Sequence, residues 1–386
     1  MNYNVNWNYP TNIKVGPGRI SEIVNLCKDM GMRAPLVITD PGLAALPMVQ
    51  ALVDKVQASG LACGLFAKIQ ANPTGQNVAD GTARYLADNH DGVIAFGGGS
   101  ALDAGKAVAL MVGQDRPIWD FEDVGDNWLR VHVEGMAPVI AVPTTAGTGS
   151  EVGRASVITD EEHHVKKIIF HPNMLPQQVI LDPELTVGLP PAITAATGMD
   201  ALSHNLEALC SPFYHPMATG IAVEGIRIVQ EFLPRAVADG SDIEARTQML
   251  VCSSMGATSF QKGLGAMHAL AHPLGGLYNA HHGTLNAILM PYVLQANRAA
   301  IEERIDRLTR YMDFSATGFD AFLDWVLKLR ADLGIPHTLA EIDINDDRAE
   351  TVATMAIEDP SAGGNPVDFS REQYQQIFVH AVHGTM

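Results

Sequence analysis

The chain has 386 residues, 47% of them hydrophobic, which is long for one ordinary compact domain and ample for two with substantial cores. A formal net charge of −18 without any basic block argues against nucleic acid and anionic membranes as partners. Cys27, Cys63, Cys210 and Cys252 are widely spaced with no Cys-x-x-Cys pair. The N-terminus has no basic region followed by an apolar stretch, and runs such as 283–294 are broken before they could span a bilayer. A soluble, cytoplasmic protein with reduced thiols is expected.

Short apolar runs at 34–39, 62–66, 92–96 and 138–142 suit strands buried on both faces, and segments of helical periodicity such as 75–89 lie between them. That alternation predicts a parallel sheet covered by helices. Runs at 155–158, 167–170 and 178–181 extend the β-rich part. After Pro190-Pro191 the periodicity turns helical, with helices expected at 199–210, 217–236, 243–262, 284–298, 317–333 and 370–382. The fold class read from this pattern is an α/β domain with a parallel sheet over 1–190 and an all-helical domain over 191–386. No internal repeat or flexible Gly/Ser linker interrupts it.

Strand 92–96 runs into Gly97-Gly98-Gly99-Ser100, followed by a helix through Asp103 and Lys106. Glycine lets backbone N–H groups approach an anion, and the helix N-terminus adds its positive dipole end. The loop departs from the dinucleotide fingerprint, because Leu102 takes the third glycine position. It departs from a Walker A loop too, because Ala107 follows Lys106 and position 100 is not glycine. A second loop, Pro143-Thr144-Thr145-Ala-Gly147-Thr148-Gly149-Ser150-Glu151, follows the next strand with alternating hydroxyls and glycines. Both loops fall at strand C-terminal ends, where open α/β sheets bind ligands. Asp40 ends another strand, where a carboxylate accepts ribose hydroxyls and repels a 2′-phosphate, or simply forms the turn before Pro41-Gly42.

In the helical half, Asp200 and His204 stand four apart, one above the other on a helix whose opposite face carries Leu202, Leu206 and Leu209. His268 and His272 repeat that spacing, and His281-His282 follow in the same Gly-rich apolar stretch. An isolated pair of this kind is often only a surface hydrogen bond, but buried imidazoles need specific partners. Asp200, His204, His268 and His282 together can offer one carboxylate and three imidazoles to a divalent metal. His215 and His163-His164 lack such a setting and are read as solvated loop residues.

Several of these motifs, in this order, resemble the iron-containing (group III) alcohol dehydrogenases. They are Gly-Gly-Gly-Ser-x-x-Asp-x-x-Lys at 97–106, Pro-Thr-Thr-x-Gly-Thr-Gly-Ser-Glu at 143–151, Leu-Asp-Pro-Glu-Leu-Thr at 181–186, Gly-Met-Asp-Ala-Leu-x-His at 198–204 and His-x-x-x-His-Pro-Leu-Gly at 268–275. The resemblance covers nearly the whole chain. It implies a nucleotide-binding α/β domain, a helical metal-binding domain and an active site between them. The implied metal ligands are Asp200, His204, His268 and His282, with His272 beside the metal as proton relay. The implied NAD contacts are Asp40, Asn72, Gly98, Gly99, Ser100, Asp103, Thr144, Thr145, Thr148 and Lys167. Three neutral imidazoles and one carboxylate around a divalent cation leave a net positive charge that lowers an alcohol's pKa, while hydride passes to NAD.

Fe(II) is the metal the resemblance favours, and Zn(II) suits the same donors. A primary alcohol or aldehyde is the expected substrate, and a homodimer or larger homo-oligomer the expected assembly. Gly153-Arg154 and Lys262 depart from the common family pattern. Arg154 and Lys262 either hold an anionic group on the substrate, as in a hydroxy acid or semialdehyde bearing a carboxylate or phosphonate, or are ordinary surface cations. His281 replaces a common proline and leaves two candidates for the last ligand, of which His282 keeps the family's separation from His268. A lyase of the dehydroquinate synthase branch and a non-catalytic metal-binding or storage protein are the rival readings, although the dense Lys/Arg array of the first is not found near the His motifs and the two nucleotide loops argue against the second.

Overall fold

The computed structural model describes residue 9 and residues 11–163 and 165–386. The chain divides into two compact units, Tyr9–Gly188 and Leu189–Met386.

In the first unit, β1 (Asn12–Val15), β2 (Pro35–Ile38), β3 (Gly64–Phe66), β4 (Gly92–Gly97), β5 (Val139–Pro143) and β8 (Gln178–Leu181) form one parallel sheet in the order β1-β8-β5-β4-β2-β3. Between β5 and β8, β6 (Ala155–Asp160) and β7 (Val165–Phe170) pair as an antiparallel hairpin outside that sheet. Helices α1 (Ile23–Asp29), α2 (Pro41–Ala44), α3 (Pro47–Ala58), α4 (Gly75–Ala87) and α5 (Gly99–Met111) complete the unit. Strands β2, β4 and β5 are buried at every position, as their unbroken apolar runs require.

Ile94, Phe96, Ile140 and Val142 pack on one face against Leu26 of α1 and Val49, Leu52 and Val56 of α3. On the other face a Cβ at Gly105 of α5 would lie 2.6 Å from the Ala95 Cβ. Gly105 thus gives the close helix–strand contact that the missing third glycine of the dinucleotide fingerprint supplies elsewhere. Strand β1 was not among the expected strands. It is a four-residue edge strand with both end positions exposed, and Asn12 and Lys14 break its apolar pattern.

The second unit is helical: α6 (Pro191–Cys210), α7 (Pro216–Ala238), α8 (Ile243–Ser259), α9 (Ala266–Tyr278), α10 (His282–Tyr311), α11 (Phe319–Asp332), α12 (Ala349–Glu358) and α13 (Arg371–His383). Helix α6 is its axis, packed by α7, α8 and α10, and every residue from Thr194 to Cys210 is buried. Both faces of this helix are covered, the one that carries Asp200 and His204 as well as the one that carries Leu202, Leu206 and Leu209. Pro191 starts it one residue after the turn, where a missing N–H costs nothing. A Cβ at Gly198 would lie 2.2 Å from the Leu233 side chain, so glycine there lets α7 approach closely. The expectation for His215 is corrected: it is buried, and its Nδ1 accepts from the Ala218 N–H at 3.2 Å, capping α7. His163 stays exposed in the β6–β7 turn beside Asp160, and His164 lies outside the described residues. All four cysteines are free and buried, and burial pushes the Cys27 and Cys210 thiols up to about 12. Among the described residues no helix is long and apolar enough to cross a membrane.

Candidate functional site

Three helices of the second unit bring together the residues singled out by spacing. Asp200 and His204 lie one turn apart on α6, His268 in the first turn of α9, and His282 at the start of α10. Ligand atoms of Asp200, His204 and His268 all lie within 4.8 Å of one another, and all three residues are buried. The His282 Nε2 is 3.6 Å from Asp200 Oδ1, and its ring centroid is 5.2 Å from that of His268. His281 turns instead to the helix cap, where its Nδ1 accepts from the Thr284 N–H at 3.4 Å. The tight entry of α10 depends on Gly283, where a Cβ would lie 2.3 Å from the Ala196 carbonyl oxygen and 3.2 Å from the Asp200 Cβ.

The donor set suits a cation. Burial alone would raise the Asp200 carboxyl, but the imidazoles of His204, His282 and His268 and the Asn286 amide outweigh it and bring its pKa to about 2. Asp200 is therefore ionised at neutral pH. The Asn286 Nδ2 donates to Asp200 Oδ1 at 2.9 Å and lies 3.2 Å from the Nε2 atoms of both His268 and His282, while its own Oδ1 is buried with no partner. One amide group thus faces three converging acceptors, more lone pairs than its hydrogens can satisfy, and a divalent cation satisfies such a set.

His272 stands one turn beyond His268, half-buried, its ring stacked on that of His282 with centroids 5.4 Å apart. Its Nδ1 is 2.8 Å from Asp359 Oδ2. Burial would raise the Asp359 carboxyl, but the charge and hydrogen bond of His272 and bonds from Ser361 hold it below the ordinary carboxylate range. Pro273 follows His272 inside α9, which continues to Tyr278. Asp359, Asn286 and Glu207 were all missed in the sequence. Glu207 had a signal, being a carboxylate inside the apolar run 206–210, where burial demands donors. Asp359 had none, since it reaches His272 across 87 residues.

In the first unit the path from β2 goes to β3 on one side, then to β4 on the other and on to β5, so the order reverses between β2 and β4. Asp40 follows β2, Asn72 follows β3, the Gly97–Ser100 loop follows β4 and the 143–151 loop follows β5. Helix α5 starts after Gly98 without a side-chain cap. A Cβ at Gly99 would lie 2.5 Å from Thr148 Cγ2, and one at Gly98 would lie 3.5 Å from Thr145, so the two loops touch through their glycines and threonines. The Thr144 N–H donates to the Gly97 carbonyl at 3.0 Å, and the Ser100 hydroxyl donates to the Ala71 carbonyl beside Asn72.

Asp40 Oδ1 caps α2 by accepting from the Leu43 N–H at 2.8 Å. Asp103 is committed internally: Oδ1 accepts from the Ser150 hydroxyl at 2.5 Å and Oδ2 from the Val157 N–H at 3.0 Å, with the Lys106 ammonium 3.2 Å away. Lys167 lies 3.0 Å from Asp160 and 5.3 Å over the Trp119 ring.

The two cations considered for an anionic substrate differ. Arg154 is half-buried with its guanidinium 5.5 Å over the Phe170 ring. Lys262 is only 6% exposed, and its ammonium donates to the Leu209 carbonyl at 3.1 Å. Lys262 therefore caps the C-terminus of α6 from a buried position, so it is not the exposed surface cation that was one of its two readings.

The sequence matches the iron-containing alcohol dehydrogenase family over residues 10–183 and the C-terminal part of the Fe-containing alcohol dehydrogenase family over residues 194–382. It is 37% identical over 379 residues to the 4-hydroxybutyrate dehydrogenase of Cupriavidus necator, covering 96% of this chain and 97% of that one. The crystal structure of a 1,3-propanediol oxidoreductase superposes with a TM-score of 0.92 at 33% identity, covering 98% of this chain and all of the other. The sulfoacetaldehyde reductase of Bifidobacterium kashiwanohense, solved in complex with NAD+, gives a TM-score of 0.88 at 28% identity over 98% of this chain and 99% of that one. The chain belongs to the iron-containing alcohol dehydrogenase family. It is an oxidoreductase that interconverts alcohols and aldehydes, and the lyase reading is set aside.

Proposed function

We propose that this dehydrogenase works with NAD and Fe(II), the cation held by Asp200, His204, His268 and His282, with Zn(II) the other metal that this donor set accepts. The observation that carries the reading is the convergence of buried ligand atoms from Asp200, His204 and His268 within 4.8 Å. When bound, the cation supplies Lewis acidity that lowers an alcohol's pKa and the nicotinamide accepts hydride.

The remaining work falls to the protein's own groups. Glycines 98 and 99 and Ser100 present backbone N–H groups to the phosphates at the start of α5, and Thr144, Thr145 and Thr148 add hydroxyls from the facing loop. Asp40 takes a ribose hydroxyl, which favours NAD over NADP, and Asn72 and Lys167 hold the cofactor from the neighbouring loop and hairpin. Asp103 acts indirectly, bracing the 143–151 loop through Ser150. The structure of a 28% identical reductase with NAD+ supports the choice of cofactor.

His272 carries its ring hydrogen on Nδ1 toward Asp359, which leaves Nε2 free to take the alcohol proton. His268→Ala tests the whole reading. The variant is expected to retain less than about a tenth of the wild-type metal and to lose activity by about 10³-fold or more, read as NADH absorbance with a panel of alcohols. A metal-replete, active variant overturns it.

A second reading of the substrate rests on Arg154 and on the 37% identity to a 4-hydroxybutyrate dehydrogenase. In it the alcohol carries a distant carboxylate that pairs with Arg154. Turnover of an ω-carboxy aldehyde should then exceed that of a neutral aldehyde of equal length, and equal rates remove this reading. The buried free thiols support a reducing, cytoplasmic setting.

A further inference from the structure

Glu207 lies on α6 and is 4% exposed, yet among the described residues no lysine or arginine pairs with it. Three donors converge on it instead. Its Oε2 is 2.7 Å from His268 Nδ1 and accepts from the Gly265 N–H at 2.8 Å, and its Oε1 accepts from the Met267 N–H at 2.7 Å. Gly265 is shaped to this contact, since a Cβ there would stand 3.0 Å from Oε1. On the far side of the same ring the Asn286 Nδ2, a donor, lies 3.2 Å from His268 Nε2. The ring hydrogen therefore sits on Nδ1 and the lone pair on Nε2.

We propose that Glu207 is the positioning residue of the metal centre: it fixes the His268 tautomer and ring angle so that Nε2 presents its lone pair beside Asp200 and His204. The inference rests on the reading of His268 as a ligand. A carboxylate behind a ligating imidazole orients it and raises its basicity, and loss of such a partner typically weakens metal binding by about 10–100-fold. Glu207 also caps the first turn of α9, so a purely structural role must be separated from the tautomeric one. The chain contains its own control. Asn365 Oδ1 caps the same helix end by accepting from the Ala266 N–H at 3.2 Å, without touching His268.

The Glu207→Gln side chain keeps the size but offers one acceptor and one donor group where three donors meet. Turning its amide N–H toward His268 is relieved only by moving the ring hydrogen to Nε2, which removes the lone pair. The experiment titrates Co(II) into metal-free wild type, E207Q and N365A, following the visible ligand-field band and competing with a chelator, with thermal unfolding of the metal-free forms alongside. Expected are a 10–100-fold weaker Co(II) affinity and an altered band for E207Q, against an affinity within about threefold of wild type for N365A, although both unfold a few degrees lower. Wild-type affinity and spectrum in E207Q, or an equal loss of affinity in N365A, overturns the inference while leaving the metal site standing. Failure of wild type itself to bind Co(II) overturns the metal reading and this one with it.

Discussion

At the scale of single residues, the pairing of the candidate ligands was open to reading because helical spacing projects onto geometry. Asp200 with His204 and His268 with His272 are each four apart, and both pairs do lie on one helix face. What spacing cannot carry is a partner supplied from elsewhere in the chain. Asp359 meets His272 over 87 residues, and nothing local marks it for that task. Lys262 was left with two readings for a related reason: its charge alone does not show that tertiary packing gives it a helix carbonyl. The Asp359 contact makes a prediction. In Asp359→Asn the carboxylate that receives the His272 Nδ1 hydrogen is lost, so kcat should fall by about 10–100-fold while bound metal stays at the wild-type level. An unchanged kcat removes Asp359 from the proton path.

At the scale of elements, strands β2 to β5 and the helices at 217–236 and 370–382 follow from apolar runs and amphipathic period. The errors have physical causes. Helix α6 begins at Pro191, eight residues before the expected start at 199, because the prolines taken as a boundary are a helix start. Helix α10 runs on to Tyr311, where Glu303–Arg307 and Asp306–Arg310 pairs line its exposed side and dilute the apolar signal. The C-terminus of α6 carries a pH prediction through its cap. Burial first, then the Arg304 charge, lowers the Lys262 pKa to about 8, against about 10.4 when unfolded. Below about pH 8 the amine is charged in both states and its burial costs stability. Between the two values the unfolded chain binds more protons, so folding is favoured as pH rises. Wild type should therefore gain on Lys262→Met between pH 8 and 10.4, by up to about 3 kcal/mol in denaturant titrations. A difference independent of pH sinks that account.

For the molecule as a whole, the change from βα alternation to helical period near Pro190 was visible because each unit buries its own core by its own rule. The parallel sheet needs strands apolar on both faces, and the helical unit has one axis buried all round. A cation held by the proposed ligands would tie together only the second unit, since α6, α9 and α10 all belong to it. Chelation should therefore lower the unfolding temperature reported by Trp325, packed 5.2 Å from Phe322 in the helical unit, by about 5 °C or more. The transition reported by Trp119 of the first unit should move by less than half as much. Single-tryptophan variants separate the two signals, and a Trp325 transition indifferent to chelator contradicts the assignment.

The far-reaching contacts of α9 also set an order of events during synthesis. The Ala266 N–H waits for Asn365, 99 residues later, and His272 waits for Asp359, 87 residues later. While these segments are still to be translated, the histidine helix has neither that cap nor that carboxylate. A chain translated only as far as His282 carries every candidate ligand but neither of these two contacts. Metal delivered at that stage meets a nascent chain that lacks the α9 cap from Asn365 and the Asp359 partner of His272, although neither contact is needed to hold the metal itself.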